Sequence, residues 1–278
     1  MRTHIDWLTF TIPMLYMGAG SDAYADAIAS GLLDMFGEEL RASAFGGTWQ
    51  KQERSRAPYT DAWTNGEGVT LFASPNLTHA CIEISGQGCE NLISAGDELR
   101  NVLRGCKDRV TRIDIACDIE TETTPLTFVK ELSHERMRTN GHIVSGTGET
   151  CYVGSQKSER YARVYRYNAP HPRSHLLRVE HVFRKDYAKK VASQIVDASL
   201  ASVATAAGLS FGWKHPDWQT KESEGADISV VHERGNTGST VFWLVHSVAP
   251  AFRRLCADGT ITDPQAFIEQ FFLDNKDA

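Results

Sequence analysis

No run of apolar residues in this 278-residue chain approaches the roughly twenty that cross a bilayer. Its first residues also lack the charged-then-apolar pattern of a secretory signal, so a cytoplasmic location without a membrane partner is expected. The six cysteines, at positions 81, 89, 106, 117, 151 and 256, form no Cys-x-x-Cys pair and show no zinc spacing. Cys81 and Cys117 fall within apolar strand patterns, and buried free thiols are the simplest reading. No glycine-rich loop ends in Gly-Lys-Ser or Gly-Lys-Thr, because Lys157-Ser158 lacks the preceding glycine, which removes the usual support for ATP-driven work. Ten histidines are present, yet no two flank a single apolar residue. The nearest approach, His171 and His175, has the wrong spacing and sits in a turn-like stretch.

A basic excess is missing too, since the net charge is −6, and cations supply most of the affinity for phosphates. Distribution matters more than the total. Residues 151–190 hold six arginines and four lysines against two glutamates and one aspartate, a local charge of +7 that leaves −13 for the rest.

That basic segment contains the most informative stretch of the chain, residues 149–168 (ETCYVGSQKSERYARVYRYN). Successive strand residues point to opposite faces, so Arg163, Tyr165 and Tyr167 share one face while Ala162, Val164 and Arg166 share the other. Two phenols thus stand beside a guanidinium. A phenol is a weak nucleophile near neutral pH, with a reference pKa of about 10, and attack on an anionic phosphodiester needs cations nearby. Aromatics at period two are also ordinary strand formers.

Residues 111–120 (TRIDIACDIE) alternate in the same way. Arg112, Asp114, Ala116, Asp118 and Glu120 share one face, and Ile113, Ile115, Cys117 and Ile119 the other. In residues 81–86, Glu83 lies opposite Ile82 and Ile84. Carboxylates clustered on neighbouring strands repel unless something positive sits among them. Oxygen ligands suit magnesium or manganese, and cross-strand ion pairs with arginine answer the same need.

The pattern predicts an α+β fold of antiparallel sheets with packed helices. An opening strand ends at Pro13, a helix covers 22–36, strands occupy 44–85 with turns at Gly46-Gly47 and Asn65-Gly66, a helix covers 90–104 and a strand 110–120. A comparable series then restarts: a helix from Thr124-Pro125 to about 138, three or four strands over 142–184, and a closing helix over 186–205. Two α+β halves, about 1–120 and 121–205, make one catalytic domain, possessing no clear sequence repeat. Residues 206–238 read as an irregular connection and the C-terminal segment, to 278, as helical. Its Phe267 and Phe271 form a stripe that packs inside the monomer or between copies in a homodimer. Residues 85–88 read as a tight glycine-rich turn that approaches a backbone or simply reverses the chain.

These residues resemble the replication initiation factor family, the rolling-circle initiators of plasmids and filamentous phages and the related relaxases of conjugative elements. The resemblance rests on an ordered set: residues 5–11 (IDWLTFT), 79–89 (HACIEISGQGC), 112–118 (RIDIACD), 151–160 (CYVGSQKSER), 163–165 (RVY) and 178–180 (RVE). Residues 243–252 (WLVHSVAPAF) look like the family's phage branch. The resemblance implies a saddle-like duplicated core that nicks one strand at a replication origin. Its tyrosine becomes linked to the 5′ phosphate, the freed 3′ hydroxyl primes synthesis with a host helicase and polymerase as expected partners, and the strand is later rejoined without a nucleotide.

The resemblance places Tyr165 at the nucleophile position and Glu83 and Asp114 as ligands of Mg2+ or Mn2+, with Asp118 a third. Lys157, Arg160 and Arg163 are implied to hold flanking phosphates or to stabilise developing charge, and Arg166, Arg178 and Arg184 of the same basic segment are expected to bind DNA. The family follows its tyrosine with an acidic or amide residue and then a lysine, whereas this chain reads Tyr165-Arg166-Tyr167, which leaves Tyr167 open as an assistant, a substitute nucleophile or a packing residue. A sequence-specific DNA-binding regulator without the cut, and a metal nuclease that activates water, are the competing readings.

Overall fold

A computed structural model describes residues 2–13, 48–94, 98–132, 139–145, 148–166, 176–211, 213, 226, 228–230 and 248–268. The described chain is α+β. Strands β1 (Arg2–Pro13), β2 (Gln50–Lys51), β3 (Asp61–Thr64), β4 (Val69–Ala73) and β5 (His79–Ile84) precede helices α1 (Gly86–Ser94) and α2 (Glu98–Cys106) and a 3-10 turn at Lys107–Arg109. Then come β6 (Val110–Glu120), α3 (Pro125–Leu132), β7 (Thr139–Ser145), β8 (Gly148–Val153), β9 (Arg160–Arg166), β10 (Leu176–Arg184), α4 (Lys185–Asp197) and α5 (Leu200–Ser210). The ten described strands join one sheet in the order β2-β3-β4-β5-β1-β6-β10-β9-β8-β7, with every neighbouring pair antiparallel.

That order repeats itself about the central β1/β6 pair. Outward from β1 lie β5, β4, β3 and β2; outward from β6 lie β10, β9, β8 and β7. Each half therefore places its first strand beside its last, and each last strand runs into a helix pair. The strand order is thus symmetric about the β1/β6 pair, although the sequence shows no repeat.

Period-two alternation sends one sheet face into the core. Ile5, Leu8, Phe10, Ile82, Ile84, Ile113, Ile115, Cys117, Val164, Val179 and Phe183 are buried there. Helix α4 covers this face with Ala188, Val191, Ala192 and Ile195, whose spacing makes one stripe on a helix. The opposite face carries Glu83, Arg112, Asp114, Asp118, Arg163, Tyr165, Arg178 and Glu180, and among the described residues its apolar patch is small, with Tyr59 packed on Ala62, Phe72 and Cys81. All six cysteines are free, five buried and Cys256 partly so. Cys81 departs from the expected core packing: it lies on the open face, where an Arg56 Nη2 donates to its sulfur at 3.2 Å.

Several boundaries differ from expectation for local reasons. The closing helix is two helices, because Ala198 is extended and Ser199 caps α5, its Oγ accepting the Ser202 amide at 3.1 Å. Helix α5 runs through position 205 to Ser210, and Phe211 and Trp213 beyond it are buried. The helix expected over 90–104 starts earlier, at Gly86, and is described as α1 and α2. Residues 86–88 therefore open α1 and are not a separate turn. The strands expected over 142–184 number four and begin at Thr139. The helix expected at 22–36, the turn at Gly46-Gly47, the end of the helix beyond 132 and most of 214–247 lie outside the described residues.

Glycine is required where α1 meets the β3–β4 turn. A Cβ on Gly88 would stand 2.8 Å from both the Gly68 carbonyl oxygen and Ile84 Cγ2. Gly68 itself, at φ +87°, accepts the Ser85 amide at 2.8 Å. Overpacking of this kind costs on the order of 1–3 kcal/mol. Gly88→Ala should accordingly lower Tm in a thermal melt, whereas Gly66→Asn, at a positive φ in open space, should be nearly neutral.

The chain divides into two compact units, Met1–Val230 and Val231–Ala278. The second holds α6 (Ala249–Ala257) and α7 (Pro264–Ile268), with Phe252 and Phe267 ring centroids 5.8 Å apart. This C-terminal segment is helical where described; Phe271 lies outside the described residues. Among the described residues no helix is long and apolar enough to cross a membrane.

Candidate active site

Four strands bring one polar cluster together on the open face. In the β9/β10 register Tyr165 stands opposite Arg178 and Arg163 opposite Glu180. In the β6/β10 register Asp118 stands opposite Arg178 and Ala116 opposite Glu180. The methyl of Ala116 leaves room there for the glutamate. Strand β1 adds Asp6 through an irregularity: Ile5 pairs with Ile115 and Trp7 with Asp114, so Asp6 is the extra residue between them. A bulge re-aims its side chain, and Arg178 Nη1 donates to Asp6 Oδ1 at 3.0 Å.

Glu180 is at the centre. The Tyr165 hydroxyl donates to its Oε1 and Arg163 Nε donates to its Oε2. Glu180 is fully buried while Tyr165 is half-buried. Burial pushes the Glu180 carboxyl up to about 7, against the pull of Arg163 and with further upward pressure from Asp6 and Asp114. Burial and then the Glu180 charge push the Tyr165 phenol well above its ordinary value. The phenol does not ionise by itself near neutral pH. Its proton already points at a carboxylate whose basicity suits acceptance at that pH.

Arginine holds the remaining carboxylates. Arg112 donates to Asp114 through Nε at 2.9 Å and Nη2 at 2.5 Å, and its guanidinium lies 4.7 Å from the Trp7 ring centroid. Arg163 Nη2 is 4.0 Å from Asp114. Arg178 donates to Asp118 through Nε at 2.7 Å and Nη2 at 3.0 Å. Burial raises the Asp114 carboxyl despite Arg112. Burial also works to raise Asp6, but the neighbouring His4 and the Arg178 charge prevail and hold it below the usual range. His4 is buried, with Nε2 3.8 Å from Asp6 Oδ1. The ion-pair reading of these alternating charges therefore describes Asp114 and Asp118.

Asp118→Ala would leave the Arg178 guanidinium, 7 % exposed, with Asp6 as its only carboxylate among those just named. Breaking a buried pair by removing one partner costs about 3–5 kcal/mol. The expected result is a clear drop in the urea midpoint with an unchanged slope.

The other site residues named from the sequence are placed as follows. Glu83 is bound by Arg56, and β1 lies between its strand and that of Asp114. Neighbouring strands are about 4.8 Å apart, so the two carboxylates are separated by roughly 10 Å of sheet. With Asp114 and Asp118 each engaged by a different arginine, Glu83, Asp114 and Asp118 do not fit a shared Mg2+ or Mn2+ in this arrangement. Among the described residues no group of three or more His, Cys, Asp or Glu side chains could hold a metal ion.

Of the cations expected on phosphates, Lys157 projects from an exposed turn. Arg178 is committed to Asp118 and Asp6. Arg160 lies on the helix-covered face over the rings of Tyr187 and Phe211, at 5.3 and 5.6 Å. Arg166 donates to the carbonyls of Thr121, Glu122 and Thr123. Arg184 donates to the Gln156 carbonyl at 2.8 Å and lies over Tyr161. Tyr167 lies outside the described residues. Glu180 and Asp6 were missed as site residues: Glu180 appears in the sequence only as the end of a motif, and the signal that could have singled it out is its period-two relation to Arg178.

Comparison with known proteins agrees with the fold. The solved structure of a rolling circle replication initiator protein from Geobacillus stearothermophilus is similar to this chain with a TM-score of 0.52, over 82% of this chain and 92% of that one, at 17% sequence identity. At that identity the likeness is one of fold. No family model matches the sequence, and no curated protein matches it.

Proposed function

We propose that the chain is a rolling-circle replication initiator that nicks and rejoins one DNA strand at an origin, with Tyr165 as nucleophile and Glu180 as its general base. The observation that carries this is the Tyr165 hydroxyl donating to a buried carboxylate poised near neutral pH, beside the guanidinium of Arg163, on the open face of a sheet shared with a rolling circle replication initiator protein. Glu180 takes the phenolic proton as the oxygen attacks phosphorus. The bond from phosphorus to the 3′ oxygen breaks, and that oxygen leaves with the proton that Glu180 returns. Tyr165 then carries the 5′ phosphate, and the free 3′ hydroxyl primes synthesis by a host polymerase. Rejoining runs the same steps backwards, because the phosphotyrosine bond keeps the energy of the bond it replaced. Arg163 offsets charge gathering on the phosphate oxygens.

The resemblance also implies a divalent cation. Glu83, Asp114 and Asp118 do not converge on one point, so the steps above use protein groups alone. An assay arm with chelator, and with manganese or magnesium restored, reads what a cation adds.

Purified protein incubated with a supercoiled plasmid carrying DNA from near its own gene should convert it to open circles bearing a denaturation-resistant protein adduct. Binding without cleavage would favour a non-catalytic regulator. Open circles without an adduct would favour attack by water.

A further inference from the structure

The geometry points to a nucleotide-binding subsite beside Tyr165, in which Tyr152 stacks on the base and Lys157 holds a phosphate of the nucleotide next to the scissile bond. This rests on the nicking function proposed above and specifies how that site grips its strand.

A cavity of about 570 Å³ is lined by Tyr152, Gly154, Ser155, Gln156 and Lys157. Tyr152 on β8 stands directly opposite Arg163 on β9, and Thr150 stands opposite Tyr165. Tyr152 therefore shares the open face with the nucleophile and lies diagonal to it, at roughly 7–8 Å in an antiparallel pair. On its other side Tyr152 faces Gly141, and two residues along its own strand direction is Gly154. Neither neighbour has a side chain to cover the ring. The ring is partly exposed.

The loop that completes the cavity is held in place. The Ser158 amide donates to the Ser155 carbonyl at 2.8 Å, the Lys157 amide to Ser155 Oγ at 3.3 Å, and Arg184 Nη1 to the Gln156 carbonyl at 2.8 Å. A preformed pocket spares the ligand the cost of ordering it. The lining has a flat aromatic face, a hydroxyl, an amide and an ammonium, and no carboxylate. A base stacks on the first, its polar edge meets the next two, and a phosphate meets the last. Every base has a π face, so such a platform accepts any of the four. An aromatic ring that merely covered a cross-strand glycine would have no use for a ligand.

The test titrates the full chain by NMR with thymidine 3′,5′-bisphosphate, with the bisphosphate of abasic deoxyribose, and with trithymidylate. Base stacking should make thymidine bisphosphate bind roughly tenfold tighter than its abasic counterpart. Tyr152→Leu should erase that ratio and Tyr152→Trp should keep it. Lys157→Ala should weaken both ligands alike, and trithymidylate should bind more tightly than the single nucleotide. Equal binding of the base-bearing and abasic ligands, or a ratio unchanged in Tyr152→Leu, would overturn the subsite; a trinucleotide no tighter than the monomer would overturn its assignment to a strand. An adduct at Tyr165 alongside equal binding sinks the subsite and leaves nicking intact, while base-dependent binding without any adduct does the reverse.

Discussion

Tyr165→Phe should abolish the covalent protein–DNA adduct and reduce nicking by about a thousandfold or more, because no other atom at that position can form the ester. The phenyl ring keeps its packing on the open face. Glu180 loses one of its two donors and keeps Arg163, a change worth on the order of 1–2 kcal/mol in stability. Loss of activity should therefore come with a melting curve only slightly displaced. If Tyr165 served only to pack, the same substitution would leave the adduct in place. If the protein bound DNA without cutting it, there would be no adduct to lose.

Glu180→Gln should slow nicking by roughly 10²–10⁴-fold, the usual contribution of a positioned general base, while leaving the phenol in place to form a slow adduct. The pH dependence gives a second reading of the same group. Glu180 accepts a proton only when ionised, and its carboxyl sits at about 7. Native activity should rise with pH, by up to tenfold per unit below about 7, and level off above it. Glu180→Gln should remove that rise. Should the variant retain the native profile, the titrating group lies elsewhere and the phenol is activated by another route.

Much of the platform was legible because a strand repeats every two residues. Residues 110–120 show their buried isoleucines and their polar row without any partner strand, and so do residues 160–166 around Tyr165. What alternation cannot show is which polar side chains meet, since that depends on register between distant strands. Glu180 meets Tyr165 because β10 pairs with β9 in one register. Asp118 meets Arg178 through another, and Asp6 enters only because β1 gains a residue at its bulge. Glu83, Asp114 and Asp118, the carboxylates that suggested a cation, share the open face, but arginines hold each of them. Glu83 illustrates the limit: its strand and face follow from the pattern, yet β1 inserts between it and Asp114. The split of the closing helix turned on one capping serine, a signal present at Ser199 and outweighed by the apolar period running past it.

The site also departs from a stable surface of isolated charges in a way that matters for chemistry. Asp6, Asp114, Asp118 and Glu180 face Arg112, Arg163 and Arg178, and only Glu180 also receives a phenolic proton donor among the hydrogen bonds described above. Burial that would otherwise neutralise a carboxylate keeps this one near the pH at which it can both take and return a proton.

Mass-spectrometric mapping of the adduct decides the matter most directly. Protein reacted with a labelled origin-proximal oligonucleotide, denatured and digested, should carry its nucleotide on the hydroxyl of Tyr165. A nucleotide on Tyr167 or Tyr152, or cleavage with no modified peptide, would contradict the pairing of Tyr165 with Glu180 as the nicking machinery.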